Sequence, residues 1–600
     1  MIKATQMRDE ILLDGGSRWT VRGYSDGTYG IPESDASPGS LLLSFPLSEP
    51  YETTTTNVSA LFSQHSNELY QPILLESGTM FGNDYEAVLY GGLSRPTDSV
   101  YVPGPREILG YEAYDHGTNY GSSNLKSVNI SLPESMNRYV TNGAKASIPS
   151  EELGFYFGGI RRHDWGPITM YDDSANTAAD TLISVSMTNN TKEKNWVNQT
   201  LPDYVQSRAD AELVWVPVSK QGVLIVIGGV LNAEVLYPTG LSETERKANS
   251  ESDPSFMETI PIYDIANEKW YLQNTTGDIP PNGRALFCST LASAGDGSSH
   301  NIYIYGGYDG QDAEHTPYDD VYILSLPSFI WTKAYTGSST HGRSGHQCFR
   351  IFPDQMLVIG GRFKDPSICI EGGIVQLFNL SSLAFQTVYA PDVWTEYRVP
   401  DVVAHQIGGN GLGRANRTVP SNAGDSIADL FSSPYPKTIR TWFPYQNSTD
   451  GPGNTTEALT DSGNSDAGPH GWVLSASLGA SIPVLVIVLI VFCCCLYRTK
   501  MHRPLGLGLL ETRKFQRLLA ALGWVRSGVG VLEADGTGVQ TLSIKVRSIG
   551  SGIVELPGNA KDNTPPSTPH SPFSASATPV EMYRRGGDFL SPLGPPDVDS

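Results

Sequence analysis

Cysteine is scarce in this chain. Six cysteines in 600 residues, three of them consecutive at Cys493, Cys494 and Cys495, exclude a small fold held together by disulfides. Basic charge is also short: residues 1–470 carry 29 Lys+Arg against 54 Asp+Glu. An acidic body excludes nucleic acid as the partner, because phosphate binding needs a basic face. The first residues, MIKATQMRDEILLDGG, lack both the apolar core and the small-residue cleavage site of an export signal. Paired histidines are rare as well. Only His341 and His346 lie close together before the charge-free stretch described next. No catalytic set, cofactor site or resident metal is expected from the residue pattern.

One absence is itself a signal. Residues 472–497, WVLSASLGASIPVLVIVLIVFCCCLY, contain no charge and 14 Val, Leu, Ile or Phe. Roughly 20 apolar residues suffice to cross a bilayer, so a membrane span is expected over 471–497. Arg498, Lys500, Arg503, Arg513, Lys514 and Arg517 follow it, whereas residues 441–470 hold no Lys or Arg, which places the C-terminal side in the cytoplasm. Asn-x-Ser/Thr sequons agree with that orientation, since all precede the span: Asn57, Asn129, Asn189, Asn198, Asn274, Asn379, Asn416, Asn447 and Asn454.

What the body does have is a repeat. An apolar run ending in two glycines recurs at Gly15–Gly16, Gly91–Gly92, Gly158–Gly159, Gly228–Gly229, Gly306–Gly307 and Gly360–Gly361, at spacings of 76, 67, 70, 78 and 54. An arginine precedes the run in three copies, at Arg208, Arg284 and Arg343, and two further strand-like runs follow the glycines, with Trp196, Trp270, Trp331 or Phe385 in the last. Each unit reads as four strands with the glycines closing the second. The pattern resembles the kelch repeat over about residues 1–400. Stretches such as FMETIPIYD, KWYLQNTTGDIPP and SSHNIYIYGGYDG make the chain similar to the secreted or membrane-anchored kelch proteins of filamentous fungi. The resemblance implies an all-β propeller of about six blades and a non-enzymatic binding role.

Several expectations follow. The propeller should occupy residues 1–405, and the Asn/Ser/Thr/Gly/Pro-rich residues 406–470 should form a flexible glycosylated stalk. A basic juxtamembrane segment, 498–530, has the pattern of an amphipathic helix, and 531–600 reads as a disordered tail. Cys493–Cys495 are candidates for palmitoylation, and Thr564, Thr568, Ser571, Thr578 and Ser591, each before proline, for phosphorylation. Counting back from Gly15 by the offset of the sixth copy lands on Met1, so the first blade is expected to be cut within its opening strand. An odd set of external cysteines, Cys288, Cys348 and Cys369, points the same way, to an upstream piece carrying the signal peptide and one cysteine. The alternative is that KTIRTWFPY, residues 437–445, supplies a missing strand. By topology, Arg208, Arg284 and Arg343 should ring one mouth of the channel as a ligand-binding face, unless they pair with acids such as Asp312, Glu314, Asp319 and Asp320. The functional expectation is a single-pass surface protein that binds an extracellular protein or wall carbohydrate. Its rivals are a galactose-oxidase-like copper oxidase and a passive wall-linked structural protein.

Overall fold

The computed structural model describes residues 2–445, except 17–18, 21–23, 25–29, 32, 35–41, 54, 66–74, 95–102, 115–124, 171–172, 189–193, 238, 313, 339–340, 365–369, 371 and 421–424. The expected span, the tail with its thiols and phosphorylation sites, Cys369, Asn189, Asn447 and Asn454 lie outside the described residues. Among the described residues no helix is long and apolar enough to cross a membrane.

Six sheets of four antiparallel strands succeed one another along the chain, and in the fifth the short strand Thr276–Gly277 adds a parallel edge beside Ile330–Thr336. Blade 1 consists of Lys3–Met7, Glu10–Asp14, Leu42–Pro46 and Ser63–His65, and the opening strands of blades 2 to 6 are Thr79–Gly82, Ala144–Ile148, Glu212–Val216, Cys288–Ser293 and Ser344–Phe352. In every blade the four antiparallel strands lie side by side in their sequence order, an up-and-down sheet. Opening strands of consecutive blades lie side by side. Blades 6 and 1 share a cluster that joins Phe352, Leu357 and Ile359 to Ile11, Leu13 and Phe45. A short antiparallel pair between Val388–Tyr389 and Tyr51–Glu52 joins the same two blades. The ring therefore closes as a six-bladed β-propeller.

Both faces of each blade meet a neighbour, which explains why second strands are apolar without alternation. Val223–Ile227 (VLIVI) is buried at every position. The aromatic residues of the fourth strands pack back on the preceding blade. Trp331 is fully buried and its indole N–H donates to Met257 O at 3.0 Å. Trp270 stands 5.8 Å from Phe157, Trp196 5.2 Å from Tyr90 and Phe385 5.6 Å from Tyr305.

The opening strand of blade 1, Lys3–Met7, pairs residue for residue with Glu10–Asp14 across a two-residue turn. Cys288 and Cys348 form a disulfide between the opening strands of blades 5 and 6.

A correction concerns residues 406–445, which pack on the propeller instead of beginning a flexible stalk. After blade 6, Thr395 is held by Asp354, and the Tyr397 hydroxyl accepts from Asn301 Nδ2 of blade 5 at 3.1 Å and shares a hydrogen bond with the Tyr303 hydroxyl at 2.9 Å. Helix Asp401–Ile407 buries Val403, Ala404 and Ile407 against blade 5. The backbone N–H groups of Arg414 and Ala415 then donate to Asp296 and Ser298 at the tip of that blade's first hairpin. Helix Asp425–Ser432 inserts Phe431 against Phe329, and Pro434 bridges to Val218 of blade 4. Tyr435 and Lys437 reach Glu151 of blade 3, and Arg440 and Trp442 reach Asp84 of blade 2. Finally Tyr445 donates to Ile351 O of blade 6 at 2.6 Å and accepts from Gln6 of blade 1. Residues 437–445 are thus no strand, yet they do tie the first and last blades. Low hydrophobicity misled the reading, because this segment is held by the short apolar faces of two helices and by scattered aromatic and polar anchors, with no long apolar run between them.

Candidate recognition face and axial channel

An up-and-down blade sends its first-to-second turn to one face of the propeller and its second-to-third loop to the other. Every contact of segment 395–445 named above falls on first-to-second or third-to-fourth turns, or on residues beside them. That strap therefore runs from blade 6 through 5, 4, 3 and 2 to blade 1 across a single face. The opposite face carries the glycine pairs and the long loops.

The glycines are fixed there by geometry. Gly306 and Gly307 have φ of 67° and 83°, a region that other residues enter at a cost of roughly 1–2 kcal/mol. A Cβ on Gly306 would stand 2.6 Å from Arg343 O of the next blade, and one on Gly307 2.6 Å from Ala285 O of its own. Close approach and left-handed backbone together demand two glycines. The Gly307 N–H uses that proximity, donating to Arg343 O at 2.8 Å. Gly229 and Gly159 do the same toward Arg284 O and Arg208 O.

This seam also locates the three arginines predicted to ring a ligand-binding mouth. They are 2, 2 and 0% exposed for Arg208, Arg284 and Arg343. Each guanidinium turns inward to the carbonyl of the first glycine of its own blade. Arg284 Nη1 donates to Gly306 O at 3.0 Å, Arg343 Nη1 to Gly360 O at 3.1 Å, and Arg208 Nη1 lies 3.5 Å from Gly228 O. Arg343 Nη2 adds Gly373 O at 3.1 Å, and Arg284 pairs with Asp320 at 2.7 Å. The guanidinium of Arg208 lies 3.9 Å from the Phe256 ring centroid, and Asp253 offsets part of its burial cost. They are braces for the glycine turn, not exposed ligand contacts. A carbonyl left by a left-handed turn in a buried seam needs a donor, and the arginine supplies one. In blade 1 the buried Lys3 does comparable work, bonding Leu75 O of blade 2 and Asp14, each at 2.7 Å.

Two residues after each arginine position the chain forms a collar around the axis. Ser77, Asn142, Asp210, Leu286 and Gly345 all have φ between 53° and 70°. The N–H of each of the last four donates to the carbonyl of the one before, at 3.0, 2.8, 3.3 and 2.8 Å. Below the collar lies a cavity of about 60 Å³ lined from all six blades, among others by Lys3, Lys145, Asp210, Glu212 and Gln347. It holds a few water molecules or a small ion, not a sugar ring. Lys145 Nζ donates to Ala4 O across the axis, and burial lowers its pKa while Glu212 opposes. Glu212 accepts from Ser289 Oγ at 2.6 Å, and burial raises its carboxyl. Asp210 accepts from Asn142 Nδ2 at 2.7 Å through one oxygen while Oδ2 has no partner, and burial pushes it to about 7. Sequence reasoning missed these residues. The signal was the alternation in AKASI, where Ala144, Ala146 and Ile148 are buried between blades and Lys145 and Ser147 alternate with them.

Among the described residues the loop face is built mainly by blades 3, 4 and 5. The 228–258 connection carries helix Glu243–Ser252, opened by a capping box in which Ser242 accepts from Glu245 N and Glu245 from Ser242 N. Fully buried Asn249 pins this helix to Asn232, and Asp253 Oδ1 accepts from Leu231 N. Around it His163 and Asp164 are exposed, Arg161 covers Trp165 at 4.5 Å, and His315 pairs with Asp309 at 2.7 Å. Among the sequons, Asn129, Asn198 and Asn274 are exposed on fourth strands, and Asn57 and Asn416 are exposed in loops.

No protein-family model matches the chain. It is 29% identical over 351 residues to a kelch repeat-containing protein of Arthroderma benhamiae, an alignment covering 52% of this chain and 49% of the other. The chain thus spans about half the length of the curated relative it matches. A solved structure titled Structure of YjhT aligns with 64% of this chain and 96% of its own, at 12% identity and a TM-score of 0.36. The six closed blades make the described part of the chain a six-bladed β-propeller, and the chain is similar in sequence to a protein that carries kelch repeats.

Proposed function

We propose that the protein is a non-enzymatic, single-pass cell-surface receptor or adhesin whose propeller recognises an extracellular protein or wall carbohydrate through the loop face of blades 3 to 5. The observation that carries this reading is the strap. It covers the turn face from blade 6 round to blade 1, which leaves the glycine-loop face as the open one, and loops on a rigid scaffold are where recognition is usually sited. Three exposed sequons on fourth strands support it, since glycans there would shield the rim and not the loops. The small axial cavity favours binding over carbohydrate oxidation. The strap ends at Tyr445, and 25 residues then separate it from the expected span, so the loop face would point away from the membrane.

The test is proximity labelling on intact cells that express the full chain, beside a variant with Arg162, His163 and Asp164 changed to alanine and helix Glu243–Ser252 replaced by a short Gly/Ser linker. Loss of specific extracellular neighbours in the variant, with unchanged surface level, is the expected result. An identical set of neighbours, or a C-terminal tag labelled from outside the cell, would overturn the reading.

A further inference from the structure

A cluster between blades 5 and 6 has chemistry that neither the fold nor the recognition face uses. Cys288 of blade 5, and His346 and Cys348 of blade 6, bring two sulfurs and an imidazole nitrogen within 4.8 Å of one another. Cys288 and His346 are 2 and 1% exposed, while Cys348 is partly exposed. The imidazole is already oriented. Its Nε2 lies 3.2 Å from Tyr305 O, to which an Nε2–H donates, and the ring packs edge-on against Tyr305 at 5.3 Å. Nδ1, buried, has no hydrogen-bond partner.

A buried nitrogen lone pair left without a donor is costly unless something else uses it. An imidazole that gives one N–H to a backbone carbonyl and keeps the other nitrogen free is the arrangement found around metal-ligating histidines, where the carbonyl fixes tautomer and ring plane. Two thiolates and one imidazole with a fourth position open form a donor set for zinc.

We propose that Cys288, Cys348 and His346 form a redox-gated zinc site, closed as an interblade disulfide when oxidised and open to one Zn(II) ion when reduced. The steps balance with a thiol or phosphine reductant. Two electrons cleave the Cys288–Cys348 bond; a dithiol is oxidised to its disulfide, or a phosphine takes oxygen from water, and two thiols result. Zn(II) then displaces one proton from each thiol and accepts the Nδ1 lone pair. Two protons are released to solvent. Either state ties blade 5 to blade 6.

The experiment uses the full purified protein, oxidised or reduced with a phosphine and freed of excess reductant, titrated with zinc against a chromophoric chelator. Circular dichroism follows the fold. One zinc more per reduced chain than per oxidised chain is expected, with zinc protecting Cys288 and Cys348 from alkylation. His346→Ala should weaken zinc binding tenfold or more, and Co(II) should give a thiolate charge-transfer band in the reduced wild type only. Where the Cys288→Ser/Cys348→Ser variant fails to fold, the oxidised wild type serves as the metal-free control. A folded reduced chain that takes up no zinc, zinc binding unaffected by His346→Ala, or a reduced chain that unfolds and is not restored by zinc would each overturn the proposal.

Discussion

Replacing Arg343 by alanine separates the two roles open to this side chain. As a brace it is fully buried, with two N–H groups on Gly360 O and Gly373 O, each at 3.1 Å. Hydrogen bonds from a charged donor contribute about 1.5–3 kcal/mol each, so two amount to about 3–6 kcal/mol. That is a large part of the roughly 5–15 kcal/mol by which domains are stable. Removing the guanidinium also leaves two carbonyls without these donors and an emptied volume, which places the expected loss toward the upper end. Arg343→Lys keeps the charge without the planar fork and should recover less than half of it. The control is Arg162→Ala, a half-exposed loop arginine paired with Asp164, where the expected change is within about 0.5 kcal/mol. Urea unfolding monitored by tryptophan fluorescence gives the midpoints, and an unchanged slope certifies that the native states are comparable. An Arg343→Ala protein within about 1 kcal/mol of wild type would refute the brace and return this arginine to the ligand-binding face.

Asp210→Asn should stabilise the protein at pH 7.5 by about 1–3 kcal/mol, because a carboxyl raised from 3.8 to about 7 favours the folded state only while protonated. The stability it contributes is present below about pH 4 and lost as pH rises through 7, so the variant should flatten the wild-type decline between those values in unfolding titrations; an equally steep decline would count against the assignment. Tyr445→Ala removes the last anchor of the strap, a ring 5.3 Å from Phe352 with its hydroxyl on Ile351 O. A loss of about 3–5 kcal/mol is expected, with hydrogen exchange accelerating first in Lys3–Met7 and in the blade 6 hairpin; unchanged protection there would contradict the tie between first and last blades. Glycopeptide mapping after eukaryotic expression should find Asn129, Asn198 and Asn274 modified and Asn379 bare. Asn379 is only half exposed and donates to Asp354 while accepting from Ser381 N and Ser382 N, and a glycan found there would show that this turn opens.

The repeat was legible because it is written in local chemistry. A double glycine is needed wherever the chain must turn left-handed against a neighbouring carbonyl, so Gly306–Gly307 and its five counterparts show in the sequence without reference to anything distant. The tryptophans in the fourth strands of blades 3, 4 and 5 are visible for the same reason, since each follows the third-strand run across a short turn. The arginines were found at the right positions but given the wrong surroundings. Strand direction assigns a residue to a face of the ring; whether its side chain turns outward to solvent or inward to a carbonyl 17 residues away, as Arg343 does to Gly360, depends on packing.

The sequence by itself determined the period, the glycine turns, the blade count and the all-β class, because each rests on residues adjacent or nearly adjacent in the chain. Only the tertiary structure decided that residues 395–445 wrap one face, that Cys288 meets Cys348, and that Lys145, Asp210 and Glu212 share an axial cavity. Those contacts join residues tens to hundreds of positions apart. Their energy comes from burying polar groups together once the ring has closed, a condition that no local pattern of residue types records.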